Sequence, residues 1–191
     1  MHILTNEYTV IDPWFGRAHR AIEVDMGCGK GALTLALAAR FPERLVVGTD
    51  LMIGRLRKVQ KASERAGLTN IELLRADNSQ LAAFQLPDQC VSRLHILCPD
   101  PWPKARHRSK RLITSEFLGW VHRILAPGGV LHVSTDHHPY VETLERVVTR
   151  SHLFEADTGA IADIADIETG FEAHWRSQGK PVPHLGYRRL S

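Results

Sequence analysis

The sequence predicts an α/β fold: one domain over residues 1–191, with a mostly parallel central sheet of about seven strands and helices on both faces. Short apolar runs alternate with longer segments of helical periodicity, a pattern typical of repeated β-α units. Five aspartates fall at or near the ends of predicted strands: Asp25, Asp50, Asp77, Asp100 and Asp136. Because ligands of parallel sheets bind at the carboxyl ends of the strands, these carboxylates mark the expected site.

The first half of the chain predicts three strands and two helices. Its apolar runs suit strands that are buried on both faces, as parallel sheets require. A glycine-rich turn separates the first run from its helix, and Gly67 is suited to end the second helix. We predict strands at 21–26, 45–49 and 71–75, and helices at 30–40 and 52–66.

The second half continues the alternation. Pro127, Gly128 and Gly129 stop one helix, and Pro139 suits the first turn of another. Residues 157–172 lack clear periodicity and are expected to form an irregular loop. We predict strands at 91–98, 130–134, 153–156 and 185–190, and helices at 114–125 and 139–150.

The composition is that of an ordinary globular protein with one sizeable core, since 43% of the 191 residues are apolar and 24% are charged. The net charge of +3 is a weak signal for nucleic acid. Basic residues nevertheless cluster at 55–61, 104–111 and 188–189. Such clusters either bind phosphate or form an ordinary solvated face.

Three function classes are disfavoured by the sequence. Three cysteines without a C-x-x-C pair indicate neither a zinc site nor a disulfide framework, and His137-His138 lacks a third ligand at helical spacing. We therefore expect no metal. The chain shows no signal peptide and no apolar run of about 18 residues, which predicts a cytoplasmic protein with no membrane partner.

The glycine-rich turn Asp25–Gly31 joins the first strand to its helix and suits a ligand that approaches the backbone closely, at Gly27 and Gly29. A nicotinamide cofactor would bring a pyrophosphate, which the carboxylate of Asp25 repels. S-adenosylmethionine carries an ammonium and a sulfonium and no phosphate. Asp50 is placed to accept from ribose hydroxyls and Asp77 from an adenine amino group, although Asp50 also suits a helix N-cap. The pattern favours a Rossmann-like methyltransferase fold.

A stiff acidic loop leads directly into a basic segment. Asp100 lies between Pro99 and Pro101, and proline restricts both itself and the residue before it, so the carboxylate is presented rather than mobile. Trp102 either stacks on a base or anchors the loop in the core. The basic strip, residues 104–111, holds five Lys or Arg side chains and suits a polyanion.

The chain resembles the bacterial tRNA (guanine-N7-)-methyltransferases, which methylate guanine-46 in the variable loop. The resemblance covers roughly residues 14 to 190, and its Asp-Pro-Trp-Pro-Lys loop is highly specific. Four blocks carry it: Glu23–Gly31, Asp100–Lys104 with Arg106-His107, Gly128-Gly129 through Thr135-Asp136, and Thr169-Gly170-Phe171-Glu172.

The resemblance implies a role for each matching residue. The cofactor, S-adenosyl-L-methionine, would contact Asp25, Gly27, Gly29, Asp50, Asp77 and Asp100, leaving as S-adenosyl-L-homocysteine. Asp100 would also act at the reaction centre. Lys104, Asp136, Thr169, Phe171 and Glu172 would hold the target guanosine. The tRNA phosphates would meet Arg106, His107, Arg108, Lys110 and Arg111.

Three departures from the family pattern accompany the match. Asp25 is one methylene shorter than the usual Glu, Gly170 replaces a larger residue, and the segment before the first strand is short. Alternative readings are a methyltransferase of the same fold acting on another RNA or a small molecule, and a non-catalytic RNA-binding relative. Asp136 also suits a helix N-cap, and Glu172 a surface position. The protein is expected to be a monomer or a homodimer.

Overall fold

A computed structural model describes residues 1–3, 11 and 21–191, and in this part of the chain eight strands form one sheet. The expectation about the short leading segment lies mostly outside these residues. The strands are β1 (His2–Ile3), β2 (Ala21–Met26), β3 (Arg44–Thr49), β4 (Ile71–Arg75), β5 (Val91–Leu97), β6 (Leu125–Ser134), β7 (Phe154–Ala156) and β8 (His184–Arg189). The helices are α1 (Ala32–Arg40), α2 (Ile53–Arg65), α3 (Asn78–Gln80), α4 (Ser115–Ile124), α5 (His138–Ser151) and α6 (Gly170–Ser177).

The strand order is β1-β4-β3-β2-β5-β6-β8-β7. The neighbouring pairs from β1 to β6 are parallel, and β8 runs antiparallel to both β6 and β7. The predicted mostly parallel α/β sheet is therefore confirmed. The chain builds outward from β2 in one direction and from β5 in the other, so the switch point lies between these two strands. A ligand crevice is expected there, outside their carboxyl ends.

Helices cover both faces of the sheet, which explains why the central strands are buried on both sides. On one face, α4 and α5 pack into the larger core through residues such as Phe117, Leu118 and Tyr140. On the other face, α1 packs through Leu33 and Leu37 together with the 3-10 helix Thr158–Ile164. Because successive side chains of β3 point to opposite faces of the sheet, this strand contributes to both of these cores.

The segment after β7 differs from its prediction. Residues 157–172 were expected to form an irregular loop, but they contain the 3-10 helix Thr158–Ile164 and the start of α6. Thr169 and Glu172 form a capping box, in which each side chain accepts a hydrogen bond from the other residue's backbone N–H. Strand β6 also begins earlier than predicted, at Leu125, with an irregularity in its register against β5.

A buried carboxylate ties β2 to its neighbours. Glu23 is 1% exposed and accepts hydrogen bonds from Arg93 of β5 and Arg44 of β3. His95 Nε2 lies 3.0 Å from Oε2 of Glu23, and Arg93 also pairs with Asp163 at 2.6 Å. Burial raises the pKa of Glu23, but hydrogen bonds from His95 and Arg93 and the charge of Arg93 outweigh burial and hold it well below 4.5.

Candidate active site

A cavity of about 430 Å³ opens at the switch point, at the carboxyl ends of β2, β3, β4 and β5. The structure therefore brings together four residues that the sequence assigned to the cofactor: Gly27, Asp50, Asp77 and Asp100. Other lining residues were not predicted. They are Met26, Leu51, Met52, Arg55, Ala76, Asn78, Ile96, Leu97, Cys98, Pro99 and Leu112.

The glycine-rich turn forms one wall of the cavity. Gly27 has φ +79°, in the left-handed region, and a Cβ there would lie 3.7 Å from Nδ2 of Asn78, another lining residue. A Cβ at this distance would make an ordinary contact, so it is the positive φ that favours glycine in this wall. The turn is tied to β3 because the backbone N–H of Cys28 donates to the carbonyl of Thr49 at 2.7 Å. Gly31 has a packing role, since a Cβ there would lie 2.6 Å from Cγ2 of Val59.

Asp50 is anchored at the mouth of the cavity. Its Oδ1 accepts from the backbone N–H of Met52 at 2.7 Å, which holds the turn that leads into α2. Its Oδ2 pairs with Nη1 of Arg55 at 3.2 Å. Leu51 and Met52 follow directly and are 60% and 56% exposed, so an apolar surface lies beside the carboxylate. A ligand with a hydroxyl edge and an apolar ring matches this combination.

Asp77 and Asn78 supply the next wall. Oδ1 of Asp77 accepts from the backbone N–H groups of Ser79 and Gln80, at 2.9 and 3.0 Å, and so caps α3. Oδ1 of Asn78 accepts from the hydroxyl of Thr49 at 2.8 Å. Sequence reasoning missed Asn78, although its place directly after Asp77 at the end of a strand was a usable signal.

Asp25 lies outside the cavity. It is 3% exposed within β2, and its Oδ2 accepts from the hydroxyl of Thr34 at 2.6 Å. Burial raises the pKa of Asp25, an effect opposed mainly by the hydrogen bond from Thr34. The sequence placed Asp25 in contact with the cofactor, whereas the structure places it beneath the turn, in contact with α1.

The loop that carries Asp100 is held in a strained conformation. Cys98 and Trp102, on either side of Asp100, have φ values of +49° and +39°, which are unfavourable for residues other than glycine. The backbone N–H of Cys98 donates to the carbonyl of Ser134 at 2.8 Å. Nε of Arg111 donates to the carbonyl of Pro101 at 2.8 Å. These bonds hold the exposed Asp100 at the edge of the cavity.

The basic strip folds as a 3-10 helix, Ala105–Lys110, beside this loop. Its cations Lys104, Arg106, Arg108 and Lys110 are exposed, and His107 is half-buried. Arg111 differs: it turns into the loop, where its guanidinium lies 4.8 Å from the centre of the Tyr140 ring. Trp102 packs edge-on against His107, and Nζ of Lys110 lies 4.9 Å from the centre of the Trp102 ring. Trp102 thus joins the loop to the strip.

Two further carboxylates lie near Cys98. Burial, together with the charges of Asp136 and Glu172, raises the pKa of the Cys98 thiol to about 11. Asp136 is half-buried and does not cap α5, whose N-cap residue is His137. Glu172 is 5% exposed, so it is not a surface acid. Together with Asp100, these residues gather three carboxylates around one end of β5.

The segment around Glu172 offers both polar and aromatic groups. Oε2 of Glu172 accepts from the backbone N–H of Thr169 at 2.6 Å. Phe171, the residue before Glu172, is 45% exposed and packs edge-on against Trp175. Nothing lies within 4 Å of a Cβ built at Gly170, so a larger residue fits there without a clash.

The part of the chain that the structure describes contains neither a cluster of metal ligands nor a helix that could span a membrane. Among residues 1–3, 11 and 21–191, no three His, Cys, Asp or Glu side chains are grouped as metal ligands. Within the same ranges, none of the helices combines the length and the hydropathy that spanning a bilayer requires.

The fold is that of methyltransferases with a Rossmann-like sheet. The crystal structure of the 16S rRNA methyltransferase KamB matches with a TM-score of 0.67 and 21% identity, over 93% of this chain and 91% of that chain. TrmN from Thermus thermophilus matches with a TM-score of 0.63 and 22% identity, over 90% of this chain and 45% of that chain. Likeness at this identity shows the fold alone.

Relatives with similar sequences show which family of methyltransferases the chain belongs to. A family model described as "Putative methyltransferase" matches residues 19–185. A tRNA (guanine-N(7)-)-methyltransferase of Mycobacterium avium is 35% identical over 181 residues, 93% of this chain and 70% of that relative. One of Corynebacterium efficiens is 37% identical over 153 residues, 80% of this chain and 60% of that relative. The chain belongs to the tRNA (guanine-N7-)-methyltransferase family. Apart from the Mycobacterium avium relative, it spans 50 to 60% of the length of seven other relatives of the same description.

Proposed function

We propose that this chain transfers a methyl group from S-adenosylmethionine to N7 of a guanine in tRNA, at position 46 of the variable loop. The observation that carries the proposal is the position of Asp100. It is exposed on a strained loop, between a cavity lined by Asp50 and Asp77 and a strip of exposed cations. The family to which the chain belongs supports the same reaction.

The cavity suits S-adenosylmethionine. Asp50 and Asp77 offer carboxylate oxygens to ribose hydroxyls and to the adenine amino group, and Leu51 and Met52 offer apolar surface to the adenine ring. The wall at Gly27 is left for the methionine part, and the neighbouring acids disfavour a phosphate. When bound, this cofactor supplies a methyl group that is already activated by a sulfonium. Asp25 then acts indirectly, through the position of the turn.

The chemistry needs no general base. N7 of guanine has an in-plane lone pair and no hydrogen, so it attacks directly in an in-line displacement. The protein contributes position and electrostatics. Positive charge grows on the guanine ring as the bond forms, and the carboxylate of Asp100 stabilises that charge. Asp136 and Glu172 are suited to accept hydrogen bonds from N1–H and the amino group of the same base, and Lys104 and Thr169 flank it.

Substrate RNA binds across the exposed cations of the strip. Lys104, Arg106, Arg108 and Lys110 contact phosphates, and contacts of this kind carry no sequence information. Selection of one guanine therefore depends on tRNA shape and on exposure of its N7 edge. A tRNA substrate implies a cytoplasmic enzyme.

Labelled methyl transfer tests this proposal. The protein is incubated with labelled S-adenosylmethionine and either unmodified bulk tRNA or ribosomal RNA, and the modified nucleoside is identified by mass. We expect 7-methylguanosine in tRNA only. Label in ribosomal RNA, or on another base, would overturn the substrate assignment. Cofactor binding without transfer to either RNA would favour the non-catalytic relative.

Replacing Asp50 with Asn should weaken the binding of S-adenosylhomocysteine about tenfold or more, because hydrogen bonds to a charged partner are the strong ones. The Asn amide oxygen still accepts from Met52, so the turn is preserved. Calorimetric titration measures the affinity. Glu64→Gln on the exposed side of α2 is the matched control. Unchanged affinity in Asp50→Asn would remove Asp50 from the cofactor site.

Replacing Arg106 and Arg108 together with Ala should raise the KM for tRNA and flatten its salt dependence. Two lost phosphate contacts reduce the slope of log affinity against log salt by about 1.5 to 2. Filter binding over a range of salt concentrations measures the slope. The control is Arg146→Ala with Arg150→Ala, two exposed cations of α5. An equal slope in the test and control pairs would exclude the strip from the RNA interface.

A further inference from the structure

A chain of three histidine rings crosses the sheet and joins two buried carboxylates. His95 of β5 lies 3.0 Å from Glu23 of β2 through its Nε2. Its Nδ1 lies 2.9 Å from Nδ1 of His132 in β6, and Nε2 of His132 lies 2.8 Å from Nδ1 of His184 in β8. Nε2 of His184 then lies 2.8 Å from Oε1 of Glu172 in α6. Four short contacts therefore link five titratable side chains.

The histidine chain needs one proton more than three neutral histidines supply. A neutral imidazole carries one N–H, so three rings bring three hydrogens to the four contacts. Reversing the tautomers only moves the shortage from one end to the other. Without a fourth proton, one contact would bring two lone pairs face to face at 3.0 Å or less. A single additional proton supplies one hydrogen to each of the four contacts.

The inner end of the histidine chain, at Glu23, does not need the extra positive charge. Arg93 and Arg44 already pair with Glu23, and Arg93 also pairs with Asp163. Burial, with the neighbouring rings of His95 and His184 and the charge of Arg93, lowers the pKa of His132 to about 2, so the central ring is neutral. The charged groups that face the chain are Glu23, Arg44, Arg93, Asp163 and Asp25 at the inner end, and Glu172 and Asp136 at the outer end.

The outer end of the histidine chain, at Glu172, does need the extra positive charge. Burial raises the pKa of Glu172, but the contacts with His184 and Thr169 outweigh burial, so the group is a carboxylate at neutral pH. In the described part of the chain, His184 is the group that forms an ion pair with it. The His184 side chain is 35% exposed and can exchange a proton with solvent.

We propose that His184 holds the additional proton as an imidazolium and so positions Glu172 for the target guanosine. This inference rests on the proposed function. Oε2 of Glu172 is taken by the N–H of Thr169, while Oε1 lies beside His184 without a well-directed hydrogen bond. Oε1 is buried and has an unfilled acceptor position, which we assign to an N–H of the base, and the imidazolium fixes the carboxylate in that position. His184 is a positioning residue.

Histidine ring ¹⁵N NMR of the protein alone tests the proton directly, and it needs neither cofactor nor RNA. We expect both ring nitrogens of His184 to be protonated at neutral pH and only one nitrogen of His132. His184→Gln assigns the signal by its loss. In Glu172→Gln the amide itself can donate to Nε2, so His184 should become neutral. His174→Gln, an exposed histidine of α6, should leave the His184 signal unchanged. A neutral His184 in the unaltered protein would overturn the proposal.

Kinetics test the positioning role. His184→Gln should lower kcat/KM for tRNA about tenfold or more, since small displacements of substrate-binding groups are costly. His184→Arg keeps a cation and should recover most of the loss.

Affinity for S-adenosylhomocysteine should not change in either His184 variant, because His184 does not line the cavity. Equal losses in the Gln and Arg variants would contradict the role of charge. If no RNA is methylated by the unaltered protein, the proposed function fails, while the NMR result still decides where the proton lies.

Discussion

Replacing Asp100 with Asn should lower kcat by about 100-fold to 1000-fold while S-adenosylhomocysteine still binds. Asn keeps the shape of the side chain and its hydrogen-bonding oxygen, but it removes the negative charge that opposes the positive charge growing on guanine. Losing one such electrostatic contact in an active site has about this effect. Asp100 sits at the rim of the cavity on a loop held by Arg111, so the substitution leaves the loop contacts in place.

Single-turnover transfer from labelled cofactor to tRNA isolates the chemical step, and calorimetry measures cofactor affinity separately. Glu142→Gln, an exposed carboxylate of α5, is the matched control and should behave as the unaltered protein. Near-normal turnover in Asp100→Asn would remove this residue from the reaction centre. A loss of cofactor binding equal to the loss of turnover would make Asp100 a cofactor ligand only.

Replacing Glu23 with Gln should lower the free energy of unfolding by about 3 to 5 kcal/mol, because it leaves buried cations without their partner. Arg93 is buried beside Glu23, and Arg44 and His95 share the same carboxylate. Urea denaturation followed by circular dichroism measures the change. Glu64→Gln should change stability by less than about 0.5 kcal/mol, as exposed substitutions do. Equal stability of the two variants would contradict this account.

The same carboxylate predicts a pH dependence. The pKa of Glu23 in the folded protein lies well below 4.5, its ordinary value. A lowered pKa means that the stabilisation is complete above pH 4.5 and is lost as the pH falls toward the folded value. The stability difference between the unaltered protein and Glu23→Gln should therefore shrink on acidification. A difference that grows in acid would mean that the carboxylate is not ionised in the folded protein.

The sheet and the cavity acids were predictable because their signals are local. A buried parallel strand shows itself as a short apolar run, and the aspartates that end such runs reach one edge of the sheet by topology alone. Asp50, Asp77 and Asp100 line one cavity for this reason. Helix α6 was missed because Thr169 and Glu172 were interpreted only as substrate contacts, although the same spacing forms a capping box.

Other features depend on partners far along the chain. Glu23 and Asp25 are two residues apart on β2 and are both buried. Nothing in their own segment shows that Thr34 bonds to Asp25, or that Arg93 and His95 contact Glu23. Arg111 belongs to the basic strip by sequence, but contacts with Pro101 and Tyr140 turn it into the loop. The histidine chain joins side chains from three strands and could not be predicted from their spacing.

The central claim is methylation of N7 of one tRNA guanine, and a pair of ligated transcripts tests it most directly. One carries guanosine at position 46 and the other carries 7-deazaguanosine there, which replaces N7 with carbon and preserves the rest of the base. We expect labelled methyl transfer to the first transcript and none to the second. Equal labelling of both would contradict the account, since the methyl group would then go to another atom or another residue of the tRNA.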